Sequence, residues 1–352
     1  MLIRRVTEGG ANDLITIYRP CTIDEMVGQD VNKRIIKNNL DKNNVPHNSL
    51  FTGPPGCGKT TAARILALGL NCESIKSGST SEPCLNCNAC KGTLNGSNVD
   101  VVEINVGKSG GKDAVDNITK KLSFHPFFCR NKVLIFDEAH KLTSTAQDLL
   151  LKKIEDGFSH VYFIFCTDEP NKLDSAFIDR NVPMHFGVVP TEKLESILIN
   201  ICDYEGIEYN RAVIKYISDV SKGVPRRSIV NLRNVIDEGS WDLDNVKLLL
   251  ENLSVDEDNV NIMEIGKAVI SGKFKEAVRI IKDLKNTPEE TIRIALAGFF
   301  TNHLVRSKRI VDADKYSSIL DIITTPILMT GKPAYHVLIN MVYKACRIVR
   351  ED

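Results

Sequence analysis

The sequence predicts an α/β fold: a mostly parallel sheet domain carrying a phosphate-binding loop and an inserted cysteine module, followed by two helical domains. Three observations predict it. Short β-branched runs alternate with amphipathic stretches through the first half of the chain, and helical periodicity takes over from Thr191. The loop Gly53-Pro54-Pro55-Gly56-Cys57-Gly58-Lys59-Thr60 matches G-x-x-x-x-G-K-[ST], and the acidic pair Asp137-Glu138 closes a later apolar run. Four cysteines lie in the interval between those two halves.

Residues 1–17 carry little signal. Ser49 to Thr52 reads as a strand feeding the loop, and the Ala- and Leu-rich stretch Thr60 to Asn71 as the helix after it. Val99 to Ile104, Val133 to Phe136 and Val161 to Cys166 read as further strands. Strands separated by helical segments need crossovers, which implies a parallel sheet with helices on both faces. Ligands of such sheets bind beyond the carboxyl ends of the strands. Both the loop and Asp137-Glu138 fall at such ends. After Val188-Val189-Pro190 the periodic stretches are Glu192 to Glu205, Ala212 to Ser221 and Pro225 to Ile236. The acidic segment Ser254 to Asn259 reads as a second linker, and Asn261 to Arg350 as helices, with Thr287-Pro288-Glu289-Glu290 as a helix start. The expected domains are therefore 1–188, 189–253 and 254–352, with the cysteine module at 72–90.

A chain of 352 residues has room for two or three domains, each with its own core. Its 45 basic residues balance 45 acidic ones, so contact with nucleic acid requires a local basic surface rather than a bulk positive field. No apolar run approaches a membrane span, and the start Met1-Leu2-Ile3-Arg4-Arg5 lacks the apolar stretch of a secretory signal. The expectation is a cytoplasmic chain with no membrane partner. Ten cysteines without an export signal argue against a disulfide framework. Six of them, Cys21, Cys57, Cys129, Cys166, Cys202 and Cys346, read as reduced, semi-buried apolar residues. Redox sensitivity of Cys57 is the alternative, with only Lys59 nearby to lower its pKa.

The loop glycines Gly53, Gly56 and Gly58 permit backbone conformations that turn successive N–H groups toward phosphate oxygens, with Pro54, Pro55 and Cys57 completing the turn. The helix that follows adds its positive dipole end. Lys59 supplies a cation for β- and γ-phosphates, and the Thr60 hydroxyl, with Thr61 beside it, a ligand for Mg²⁺. Asp137 would hold Mg²⁺ through its water shell, and Glu138 would polarise an attacking water. The bland alternative is a Gly-rich turn and a strand that ends in acids by chance. Asp137-Glu138-Ala139-His140 also matches the letters of a helicase box, but no other motif of a two-lobed helicase accompanies it.

Cys84-x-x-Cys87-x-x-Cys90 is preceded by Cys72 across the polar segment Glu73 to Pro83. Three thiolates at i, i+3 and i+6 in a Gly- and Asn-containing loop can converge, and a fourth closes the tetrahedron of a structural Zn²⁺ site. Free cysteines in a loop are the alternative, and a redox CxxC pair a further one.

Together these residues resemble a family. A phosphate loop, then Cys72…Cys84-x2-Cys87-x2-Cys90, then Asp137-Glu138-Ala139-His140, is similar to the gamma/tau subunit of the bacterial DNA polymerase III clamp loader, an AAA+ ATPase. Tyr18-Arg19-Pro20-x-Thr22 with Val27-Gly28-Gln29, Leu70-Asn71-Cys72 and Lys153 to Asp156 extend the likeness. It covers residues 15–240 well and 255–352 in helical character alone. The resemblance implies an AAA+ domain, a helical lid and a helical C-terminal collar. It places Tyr18 and Arg19 on the adenine side and Arg226, in Gly-Val-Pro-Arg-Arg, at the sensor-2 position. Thr167 falls at sensor 1, with Asp168 as the competing candidate. Arg180 occupies the place of an arginine finger that reaches a neighbouring subunit's ATP site; its flanks differ from the family's, and a surface ion pair with Asp174 or Asp179 is the alternative. Lys108 and Lys112 lie where the family approaches the DNA backbone, with solvated lysines as the alternative.

The implied function is an ATP-hydrolysing motor subunit of a sliding-clamp loader in DNA replication, using ATP, Mg²⁺ and structural Zn²⁺. Its implied partners are the sliding clamp, primer–template DNA and other loader subunits in a hetero- or homo-oligomer, expected to be a pentamer. A chain of this length resembles the short, gamma-like form and would suit a bacterial or phage-encoded, nucleoid-associated protein. A nucleotide-binding scaffold subunit with weak hydrolysis and an AAA+ helicase or helicase loader are the alternatives.

Overall fold

A computed structural model describes residues 13–107, 115, 122, 124–253, 257–284, 288–306, 310–327 and 332–350. The chain divides into two compact units, Met1–Lys247 and Leu248–Asp352.

The first unit is built on five strands: β1 (Asn48–Thr52), β2 (Val101–Asn105), β3 (Lys132–Asp137), β4 (Val161–Thr167) and β5 (Val182–His185). They hydrogen-bond in the order β2-β3-β4-β1-β5, and every neighbouring pair is parallel. The predicted α/β class and four of the strands are as the sequence reads. The fifth strand is not: Val182-Pro183-Met184-His185 is an edge strand with one buried residue, so it carries no apolar run, and its proline can sit only where no ladder N–H is needed. Central strands show the opposite pattern. Leu50, Phe51, Val133 to Phe136 and Phe163 to Cys166 are all buried, as expected where helices cover both faces of a sheet. Each such large side chain contributes about 1.5–3 kcal/mol of burial.

Register aligns the strand ends. Asn105 pairs with Asp137, and Thr52 pairs with both Thr167 and His185. The carboxyl edge of the sheet therefore presents a row of polar groups from distant parts of the sequence.

The helices of this unit are α1 (Leu14–Ile17), α2 (Asp30–Asp41), α3 (Lys59–Asn71), α4 (Asn88–Asn95), α5 (Ser144–Asp156), α6 (Ser175–Asp179), α7 (Thr191–Glu205), α8 (Arg211–Val220) and α9 (Pro225–Glu238). Helix α3 is almost wholly buried through Ala62, Ala63, Ile65, Leu66 and Leu70, which is why its sequence reads apolar nearly all round. Short α4, capped by Cys87 and Gly96, lies inside the cysteine segment where turn residues hide its periodicity. Pro225 stands in the first turn of α9, where its missing N–H costs nothing. A further helix, α10 (Leu243–Leu253), spans the division between the units.

The second unit continues with α11 (Glu257–Ile270), α12 (Phe274–Asp283), α13 (Glu289–Arg306), α14 (Ile310–Ile323) and α15 (Lys332–Arg350). The segment read as a linker thus differs in its second half, since Glu257, Asp258 and Asn259 open α11. Two acids and an asparagine in a first turn suit a helix N-terminus as well as a loop, and composition alone does not separate the two. Ile265, Val269, Ile281, Leu296, Phe300, Leu338 and Val342 form the core. Among the described residues no helix is long and apolar enough to cross a membrane.

Candidate active site

After β1 the chain turns through Gly53, Gly56 and Gly58 at φ of 137°, 80° and 101°. A Cβ at Gly53 would stand 2.0 Å from the Phe186 carbonyl oxygen; at Gly56 it would stand 2.8 Å from Val224 and 3.0 Å from the Arg226 Cβ. Both the backbone angles and the close packing therefore demand glycine. Gly58 leads directly into α3, so the first N–H groups of that helix open onto the loop.

Lys59 is buried, and its Nζ donates to the carbonyl oxygens of Gly53 at 2.5 Å and Pro54 at 2.9 Å. Burial lowers its pKa, with the charge of Asp168 acting in the opposite direction. Neutral carbonyls only partly compensate a buried ammonium; a phosphate anion in the cleft would supply full counter-charge.

The acidic half of the site comes from the end of β3. Thr60 Oγ1 donates to Asp137 Oδ2 at 3.0 Å. Glu138 follows at φ 57°, a left-handed turn that swings the next residues into one turn of 3-10 helix, Ala139–Lys141. The Glu138 carboxylate pairs with the Lys141 ammonium, which lowers the Glu138 pKa. Thr167, at the end of β4, is buried, and its Oγ1 accepts the Glu169 N–H at 3.1 Å.

One cleft of about 270 Å³ gathers these groups. Pro55, Gly56, Cys57, Gly58, Lys59, Thr60 and Thr61 line it along the loop, with Asp137, Glu138, Thr167 and Asp168 from the strand ends. Tyr18 and Arg19 line it from the N-terminal segment and Arg226 from α9, whereas Arg227 does not. Tyr18 is buried and donates to Glu205 Oε1 at 2.6 Å, tying this wall to the end of α7. Ile15, Met26, Val27, Ile197 and Ile229 make the same end apolar, which suits a flat base. The Arg19 pKa is lowered first by burial, then by the Arg64 and Arg226 cations. Arg19, Arg64 and Arg226 thus share one cleft with the carboxylates of Glu103, Asp137, Glu138 and Asp168.

Sequence reasoning missed Arg64 and Glu103. Arg64 donates twice to the Glu103 carboxylate, at 2.6 and 2.8 Å, and both line the cleft. Arg64 lies one helical turn after Thr60, the single local signal that could have flagged it.

Arg180 is not brought to this cleft. It caps α6 on the surface and pairs with Glu155 at 3.1 Å, not with Asp174 or Asp179. Lys108 and Lys112 lie outside the described residues. Burial raises the Cys57 thiol pKa despite Lys59, which disfavours the thiolate at this loop cysteine.

The cysteine module stands apart from the cleft. The Cys72, Cys84, Cys87 and Cys90 sulfurs all lie within 4.8 Å of one another. A tetrahedral ion with Zn–S of about 2.3 Å places its sulfurs about 3.8 Å apart, so this cluster is close to what such an ion needs. Backbone N–H groups of Cys84, Cys87 and Cys90 donate to the Cys72, Cys84 and Cys87 sulfurs at 3.2, 3.3 and 3.4 Å. Burial and neighbouring thiols raise the Cys90 pKa. Four clustered sulfurs, two of them buried, that collect backbone N–H donors fit a cation that would favour thiolates.

Comparison with known proteins places the chain. The profile of the family described as "DNA polymerase III, delta subunit" matches residues 28–189. The DNA polymerase III subunit gamma/tau of Mycobacterium tuberculosis is 35% identical over 214 residues, 60% of this chain and 36% of that protein. The tau subunit of Bacillus subtilis is 34% identical over 223 residues, 63% of this chain and 39% of that protein. The gamma/tau subunit of Mycoplasma genitalium is 30% identical over 275 residues, 76% of this chain and 44% of that protein. This chain thus spans less than half the length of the curated relatives it matches. In solved structures, a variant of Thermotoga maritima RuvB shares the fold with a TM-score of 0.52 at 21% identity, over 79% of this chain and 85% of that one. The α/β architecture with a parallel five-stranded sheet is thus RuvB-like, and the chain is a relative of the gamma/tau subunits of DNA polymerase III.

Proposed function

We propose that this chain is an ATP-hydrolysing motor subunit of a sliding-clamp loader, coupling ATP binding and hydrolysis to placement of a ring clamp on primer–template DNA. The observation that carries this reading is the meeting of the Thr60 hydroxyl and the Asp137 carboxylate, 3.0 Å apart, in a cleft that also holds Lys59 and Glu138. The similarity to gamma/tau subunits supports the choice of clamp loading over other uses of the same chemistry.

In this reading Lys59 exchanges the Gly53 and Pro54 carbonyls for β- and γ-phosphate oxygens, while the loop N–H groups hold the remaining charge. Thr60 and Asp137 hold Mg²⁺, which when bound neutralises phosphate charge. Glu138 leaves Lys141 to orient the attacking water. Thr167 senses the γ-phosphate. Arg226 links it to α9, so 189–253 acts as a lid over the AAA+ domain at 1–188. Tyr18 and Arg19 hold the base. Arg180 reaches the site of a neighbouring protomer as an arginine finger, and 254–352 serves as the collar of an assembly, a pentamer with sister subunits. Cys72, Cys84, Cys87 and Cys90 hold structural Zn²⁺. The setting is the cytoplasm, at the nucleoid.

The Glu138–Lys141 pair favours a second reading, a nucleotide-binding scaffold in which the carboxylate is not released for hydrolysis. Steady-state ATPase with and without primed DNA, clamp and sister subunits separates the two. Stimulated turnover supports the motor; turnover near zero under every condition supports the scaffold, and strand displacement would point to a helicase.

A further inference from the structure

His140 sits in the 3-10 turn directly after Glu138, and none of the roles above uses it. Its imidazole is nine-tenths buried and points at the end of β4. Nδ1 lies 3.0 Å from Asp168 Oδ1 and 3.3 Å from Thr167 Oγ1, and Nε2 lies 3.7 Å from Glu169 Oε1. The turn after β3 and the tip of β4 are thereby joined through one ring, beside a threonine that lines the cleft.

A threonine hydroxyl has one proton and two lone pairs. One lone pair of Thr167 Oγ1 already accepts the Glu169 N–H. The direction of the hydroxyl proton then depends on His140. A bare Nδ1 would accept that proton and turn it away from the cleft. A protonated Nδ1 cannot accept it; in a three-centre bond shared with Asp168, its one proton also faces the second lone pair, so the hydroxyl proton turns away from the ring.

Asp168 chooses between these states. An ionised carboxylate can only accept, so 3.0 Å from Nδ1 it keeps a proton on that nitrogen. The imidazolium carries the same proton on Nδ1, so the result holds in either charge state of the ring. Glu169 is engaged by Lys172 at 2.8 Å and competes weakly for Nε2.

We propose that His140, held in the Nδ1–H form by Asp168, is a positioning residue that aims the Thr167 hydroxyl proton at the terminal phosphate of bound ATP. The inference deepens the reading of Thr167 as γ-phosphate sensor and rests on it. It also gives Asp168 a place in a cleft for an anion: its charge is directed at the imidazole.

Two measurements on the full chain test it. Long-range ¹H–¹⁵N correlation of the imidazole nitrogens, with His140 assigned from its loss in His140→Asn, reads the tautomer without any turnover. A proton-bearing Nδ1 is expected; an Nε2–H tautomer with bare Nδ1 overturns the proposal. In kinetics, His140→Leu is expected to lower kcat by about tenfold or more at nearly unchanged ATP affinity, since it releases a donor aimed at the phosphate. His140→Asn, whose amide can donate from nearly the same place, is expected to recover most of that loss. Full turnover in the Leu variant, or an Asn variant no better than Leu with ATP affinity and circular dichroism intact, overturns the proposal. Absence of turnover in the unaltered protein with all partners would instead defeat the clamp-loader reading, and the tautomer measurement would still decide this one.

Discussion

Thr60 and Asp137 stand 77 positions apart in the chain, and their side chains meet at 3.0 Å. The contact joins the helix after β1 to the end of β3, with β4 between those strands in the sheet. It places a hydroxyl and a carboxylate together in the cleft that Lys59 also lines, oxygen ligands of the kind a hard cation would take.

Lys59→Ala is expected to abolish productive ATP binding. Loss of one charge-assisted contact to phosphate costs about 2 kcal/mol or more, ~30-fold in Kd. Titration calorimetry with ATP checks this, and circular dichroism should show an unaltered fold. Unchanged affinity would remove Lys59 from the phosphate site.

Arg180→Ala separates a surface ion pair from a role in trans. Its pairing with Glu155 is solvent-exposed, so the variant should lose no more than about 1 kcal/mol of stability. DNA-stimulated ATPase in an assembly built from this subunit should nevertheless fall on the order of a thousandfold. Retention of full stimulated turnover would return Arg180 to the plain surface pair.

Metal analysis of the purified chain is expected to find one zinc per chain, bound by Cys72, Cys84, Cys87 and Cys90. Cys87→Ser should lose it and lower the melting temperature, because α4 begins on that cysteine and the small core around Leu68 and Leu94 depends on the module. Zinc retained at full stoichiometry by the Ser variant would contradict a four-sulfur site.

Asp100→Ala should be strongly destabilising. This buried carboxylate accepts the N–H groups of Phe127, Phe128 and Cys129 at 2.8, 2.7 and 2.9 Å. Three donors would lose a charged acceptor together, a cost of about 3 kcal/mol or more. Urea unfolding measures it; a change below ~1 kcal/mol would mean that water replaces the carboxylate.

The second unit carries an acid-sensitive contact. Arg293 donates to both oxygens of Glu290, and the Ile327 N–H adds a third donor, which together hold the Glu290 carboxyl at about 2 against an ordinary 4.5. A carboxyl with a lowered folded pKa contributes stability that is complete above pH 4.5 and is lost as pH falls toward 2. Hydrogen exchange in α13 and α14 should therefore accelerate across that window. Glu290→Gln should accelerate it already at neutral pH and flatten the acid dependence. An unchanged acid profile in the Gln variant would assign the sensitivity to other carboxylates.

Features with a short-range physical cause were legible in the sequence. Loop glycines announce themselves because only glycine tolerates those angles, and buried strands because both faces are apolar. The cysteine spacing is legible because one turn of chain brings thiols i, i+3 and i+6 together, as the sulfur cluster shows. Edge strand β5 and helix α4 were hidden, the first by Pro183 and exposure, the second by turn residues.

The sequence alone thus determined the phosphate loop, the acidic pair, the thiol set and the positions of four strands along the chain, since each depends on neighbours within a few positions. Tertiary structure alone decided that Tyr18 reaches Glu205, that Arg64 clasps Glu103, and that His140 stands between Asp168 and Thr167. Those pairings follow from strand order and register. In a parallel sheet both depend on the packing of every crossover helix rather than on any local run of residues.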